Sequence, residues 1–177
     1  MKTLFILFCL FYISIQVLAD IDKDTIGIWL LDEGKGEEVK DMTKNQNNGK
    51  IQGGAKWVNG KFGSALELDG TGTAIIPFSN SFAITKQITV EAWVLFTDAG
   101  KGKDMVIARI EPGFSLQKYN NDVIEGWVNI GGWKGVREVA GGETMKPNQW
   151  YHVAYIYDGS VIRTYVNGKP DRESKLS

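Results

Sequence analysis

Residues 151–168 constrain the fold of this 177-residue chain more than any other segment. Two runs rich in aromatic and β-branched residues, 151–157 and 161–166, are joined by Asp158-Gly159-Ser160, and the second ends in Asn167-Gly168. Asp-Gly and Asn-Gly accept the positive φ angles that tight turns demand, so the segment is a β-hairpin. Further strands are expected at 26–31, 65–68, 74–77, 88–96, 105–110, 114–117, 123–130 and 136–139. No stretch holds a helical period. In the strand from Ile88, the side chains of Ile88, Val90, Ala92 and Val94 share one face by two-residue alternation, and that face points into a core. Trp93 falls on the opposite face with Glu91, so that face must be partly covered too. Short strands between Gly-rich turns predict an all-β, antiparallel β-sandwich or jelly roll rather than a βαβ fold.

Charge and cysteine usage narrow the function. Twenty Lys and Arg against 21 Asp and Glu leave a net charge of −1, without the basic excess that a nucleic-acid partner requires. Residues 1–19 read as a signal peptide: Lys2 opens it, an apolar run of about 15 residues follows, and Ala19 closes it with a small residue. That run is short of the ~20 residues that span a bilayer, so no stable membrane insertion is expected after cleavage. Cys9, the one cysteine, lies inside that signal behind Phe8, which argues against a lipoprotein. The expected destination is secreted, periplasmic or cell-surface, and residues 20–177 must then be stabilised by core burial without disulfides.

Several segments together resemble the laminin-G-like jelly-roll domains of the concanavalin A-like lectin/glucanase superfamily. They are Gly27-Ile28-Trp29-Leu30-Leu31-Asp32-Glu33-Gly34, the loop from Asp41 to Gly49, Trp57-Val58-Asn59-Gly60-Lys61-Phe62-Gly63 with Ala65-Leu66-Glu67-Leu68-Asp69-Gly70, Ile88 to Val94, and Trp150 through Gly168. The resemblance implies recognition of carbohydrate or of an extracellular protein partner. The Asp41 loop departs from the family pattern, since Lys44 and Gln46 stand where glycines are usual. Such domains also continue past the Asn-Gly turn into further strands, so the expectation is a jelly roll lacking its C-terminal strands, with an unpaired strand edge beside its core.

Catalysis finds little support in the residues. Glycoside hydrolysis with retention needs two carboxylates about 5 Å apart, and Glu91 is followed by Ala92, Trp93, Val94 and Leu95. His152, the one histidine, stands in a strand with no metal partner and is read as structural. Calcium is an open possibility as a structural cofactor, with Asp41, Asn45 and Asn47 as oxygen ligands, although Asp- and Asn-rich turns also cap backbone groups. Sugar binding needs aromatic platforms beside amide and carboxylate groups, and Tyr119, Asn121, Trp127 and Trp133 are the candidates. Trp29, Trp93 and Trp150 are expected in the core. The expectation is therefore an exported, non-catalytic recognition module. The alternatives are a fragment of a polysaccharide-degrading enzyme whose catalytic part is absent, and a structural or adhesion segment.

Overall fold

The computed structural model describes residues 21–83, 86–135 and 142–176. The signal segment and the strand expected at 136–139 lie outside them. Among the described residues every extended ladder is antiparallel, and the only helices are two 3-10 turns, at Asn80–Phe82 and Asp98–Gly100. The N-terminal part forms two small sheets. One joins β1 (Glu38–Val39), β2 (Gly49–Gln52) and β5 (Thr73–Ile75), and the other pairs β3 (Ala55–Asn59) with β4 (Ser64–Leu68).

The rest forms two four-stranded sheets. Strands β6 (Ile88–Leu95), β11 (Trp150–Tyr157), β12 (Val161–Val166) and β13 (Lys169–Lys175) line up in the order β13-β12-β11-β6. Strands β7 (Met105–Ile110), β8 (Phe114–Lys118), β9 (Ile124–Asn129) and β10 (Trp133–Gly135) line up as β10-β9-β8-β7. Ile88, Tyr151, Val153, Tyr155, Ile162 and Val166 of the first sheet pack with Leu116, Ile124 and Val128 of the second, which makes a sandwich with one apolar core. Gly126 stands in the middle of β9 because a Cβ there would lie 2.5 Å from Cγ of Tyr155.

The β11–β12 hairpin is built as its turn residues dictate. Gly159 has φ +100, and Asp158 Oδ1 accepts the N–H groups of Ser160 and Val161 and the Ser160 hydroxyl. Arg163 donates to Asp158 Oδ2 and to Glu173 Oε2, which fastens the turn and β13 to one guanidinium.

Three expectations change. The strand at 26–31 is reduced to an isolated bridge between Trp29 and Asp41, since Leu31 turns the chain away with φ 57. Trp93 is 43% exposed instead of buried. It faces outward from β6, which is the end strand of its sheet, and among the described residues its ring meets Phe62 edge-on at 5.7 Å, His152 tilted at 5.3 Å and the Lys61 ammonium at 4.5 Å. Trp29 and Trp150 are half-buried at the margins, with the Trp29 indole N–H donating to the Asn47 carbonyl. The core face of β6 is as expected: Val90 and Val94 pack against the cluster that contains Ile88.

Candidate functional site

Alternation along β8 and β9 sorts their side chains into an inner apolar face and an outer polar one. Leu116, Ile124 and Val128 go inward. Ser115 lies opposite Trp127, and Gln117 lies opposite Glu125, so these four form a block on the outer face. Arg109 of β7 pairs in register with Ser115 and extends the block at one side. On the other side Asn129 pairs with Trp133 of β10.

The block is internally bonded. Ser115 Oγ donates to Gln117 Oε1 at 3.3 Å, Gln117 Nε2 donates to Glu125 Oε2 at 3.2 Å, and the Trp127 indole N–H donates to the same oxygen at 3.2 Å. Glu125 is only 1% exposed. Its carboxylate therefore acts as the hub that fixes the amide of Gln117 and the plane of the Trp127 ring. A half-buried indole held beside a fixed, half-buried amide can stack an apolar sugar face while bonding its hydroxyls. Across and along its strands Glu125 meets the amide of Gln117 and the indole of Trp127.

Tyr119 and Asn121 belong to the β8–β9 turn, where the Tyr119 N–H donates to the Val123 carbonyl. Trp127 lies four residues further up β9, about 13 Å away at the rise of a strand. The candidates thus fall into two places: Trp127 on the face of β9, with Trp133 of β10 in register with Asn129 two residues further on, and Tyr119 and Asn121 at its end. The turn is anchored from below by Lys118, 1% exposed, whose ammonium donates to Asp122 Oδ1 at 2.6 Å and to the Lys103 carbonyl at 2.7 Å. That hydrogen bond from Lys118 holds the Asp122 carboxyl below the usual carboxylate range against the opposing effect of burial. Ser115, Gln117, Glu125 and Arg109 are the residues that sequence reasoning missed. The alternation Ser115-x-Gln117 and Glu125-x-Trp127 was available to find them, but placing the two runs side by side needs the register.

The Asp41 loop has a different character. Asp41 Oδ1 accepts the N–H groups of Ile28 and Thr43, and Oδ2 accepts the Thr43 hydroxyl and the Asn47 N–H. Asn45 and Asn47 both turn their amide NH2 groups to the Ile26 carbonyl. Four protein donors fill the two oxygens of Asp41, which leaves that carboxylate no free lone pair to offer a calcium ion. Among the described residues no cluster of three or more acidic, His or Cys side chains offers another metal site. A shallow recess of about 240 Å³ lined by Leu30, Asp32, Glu33, Lys40 and Met42 falls below the ~300 Å³ of ordinary small-molecule pockets.

Comparison with known proteins follows the geometry. A family model described as the concanavalin A-like lectin/glucanases superfamily matches residues 68–177, more than half of the chain. Domain 4 of AbnA, a GH43 extracellular arabinanase from Geobacillus stearothermophilus solved with arabinotriose, superposes with a TM-score of 0.54 at 18% identity, covering 78% of this chain and 70% of that one. An S-layer domain-containing protein from Clostridium thermocellum matches with a TM-score of 0.38 at 20% identity over 84% of this chain and 71% of that one. No curated protein sequence matches the chain.

Proposed function

The chain belongs to the concanavalin A-like lectin/glucanase superfamily, and from that premise we propose that it is a non-catalytic carbohydrate-binding module that works outside the cytoplasm. The observation that carries this reading is the Ser115–Gln117–Glu125–Trp127 block, an aromatic plane locked to amide, hydroxyl and carboxylate groups on the outer face of a sheet. The arabinotriose bound by the arabinanase domain of like fold supports an oligosaccharide as the ligand class. Export is supported by the character of residues 1–19, and no helix among the described residues is long and apolar enough to cross a membrane.

Sugar chains are extended and mostly hydroxylated, so a flat face suits them better than a closed pocket. Binding would come from stacking on Trp127 and from bonds to Gln117, whose amide the buried Ser115 hydroxyl orients, with Arg109 at the rim. The affinity of such a site is modest, and each lost contact of about 1.4 kcal/mol weakens it tenfold. The test is calorimetry or affinity electrophoresis against arabinan, xylan, β-glucan and mannan. Trp127→Ala should weaken binding to the preferred polymer at least about tenfold, whereas Phe78→Ala, at an exposed ring of the N-terminal part, should leave it unchanged. Absence of binding to every polymer, or binding indifferent to Trp127→Ala, refutes the proposal.

A further inference from the structure

Among the described residues the sandwich has four strand edges, and those of β13 and β7 are defended. β13 carries Lys169, Pro170 and Lys175 and a register shift at Thr164/Tyr165 of its neighbour. β7 carries Arg109 and a register shift between Val106 and Ala108. Basic residues, proline, bulges and shortness are the devices by which sheet edges avoid pairing with other chains. β6 has none of them: eight residues, no proline, no lysine or arginine, and an unbroken register against β11.

The hydrogen-bond pattern identifies which of its groups are open. His152 of β11 accepts from the Asn167 N–H and donates to Asn167 Oδ1, so its backbone groups point away from β6. His152 is the partner of Trp93 in the β11–β6 register. By the alternation of an antiparallel ladder, the N–H and C=O groups of Thr89, Glu91, Trp93 and Leu95 then point to the free side. The flank of this edge is apolar, with Trp93 and Leu95 exposed on β6 itself and Phe62 beside them.

We propose that this edge is a self-association surface: the β6 strands of two copies pair antiparallel about a two-fold axis at Ala92, which joins two four-stranded sheets into one continuous sheet. Charge selects the second copy as occupant and selects this register. Pairing centred on Glu91 would set two carboxylates directly opposite, which is unfavourable. Centring on Ala92 sets Glu91 opposite the partner's Trp93, Val90 opposite the partner's Val94 and Thr89 opposite the partner's Leu95. Lys61 lies over the Trp93 ring at 4.5 Å, so each Glu91 reaches the Lys61 of the other copy. The Glu91 carboxylate has room to do so, being 65% exposed with His152 Nε2 at 3.4 Å as its neighbour. The contact is isologous, made twice, and uses all four outward-facing residues of β6.

This surface lies on the sheet opposite the sugar-binding block, so the two proposals stand or fall separately. Sedimentation velocity over a wide concentration range, combined with hydrogen exchange of the β6 amides in the same samples, tests it. The expected result is a dimer in which the Thr89, Glu91, Trp93 and Leu95 amides are protected. Glu91→Lys should weaken the dimer by about tenfold or more, and the added Lys61→Glu should restore it by exchanging the charges of the pair. A monomer at all concentrations overturns the proposal, and so does a dimer in which those four amides exchange as freely as an open edge. A dimer with protected amides that Glu91→Lys leaves intact overturns the Ala92 register. The exchange measurement on the unaltered chain decides the case if Glu91→Lys fails to fold.

Discussion

Asp41 organises the N-terminal loop alone, because one carboxylate collects donors from Ile28, Thr43 and Asn47 and leaves no room for a cation. Burial disfavours its charged form, yet the hydrogen bonds from Ile28, Thr43 and Asn47 outweigh that and hold its pKa below the ordinary carboxylate value. The linkage follows from that direction. A folded pKa below the unfolded one, about 3.9, means that the contribution of Asp41 is complete above roughly pH 4 and is lost as the pH falls through the folded value. Asp41→Asn replaces an acceptor with an NH2 group aimed at N–H donors and should cost about 1–3 kcal/mol at neutral pH. Urea denaturation at pH 7 and near pH 3 checks this, and the gap between the two proteins should narrow in acid. Calcium and a chelator should give the same melting temperature, since the loop is closed by its own donors.

At the scale of elements, the close approach of β9 to β11 is set by one missing side chain. Gly126→Ala would place a Cβ against Cγ and Cβ of Tyr155, the rigid base of the ring and not its mobile end, and should cost about 1–3 kcal/mol. The Tyr155 hydroxyl is buried without a hydrogen-bond partner, and burial raises its pKa far above that of a free phenol. Tyr155→Phe should accordingly leave stability unchanged or raise it by up to about 1 kcal/mol. Chemical denaturation of both variants separates the two effects on a single ring. The same elements explain what could be read in advance. The strands around Asp158-Gly159 and Asn167-Gly168 were legible because turn residues and β-branched runs agree there. β13 was not, since Lys169–Lys175 is mostly charged and lacks β-branched and aromatic residues, and it becomes a strand because β12 offers it a ladder. The exposure of Trp93 was equally hidden: alternation assigns its face, but only the strand order places β6 at an edge. For the candidate site, Trp127 could be named from its residue type, whereas the hub role of Glu125 depends on the register that puts Gln117 across from it.

In the molecule as a whole, the outer polar face of β8 and β9 and the core are two sides of the same strands, so what holds the sheets together also sets the face. Packing supplies most of that hold, and one polar strut adds to it. Arg172 of β13 reaches across the sandwich and donates from Nη2 to the Ile124 carbonyl of β9. It is buried, with the Asp171 carboxylate 3.6 Å from its Nε, and Thr164 Oγ1 donates to that carboxylate and accepts the Arg172 N–H. Arg172→Ala removes the strut, opens a cavity and leaves a buried carboxylate without its cation, which should cost about 3–5 kcal/mol. Because the lost contact joins the two sheets, far-ultraviolet circular dichroism and tryptophan fluorescence should still report one coincident transition, shifted to lower denaturant. Sugar binding measured well below the new melting temperature should keep its polymer preference, since the Ser115, Gln117, Glu125 and Trp127 side chains hold one another on the outer face while Arg172 bonds the Ile124 carbonyl. A changed preference would mean that the strut sets the shape of the outer face, and the stability of the sandwich and the selectivity of its surface would then be one property measured twice.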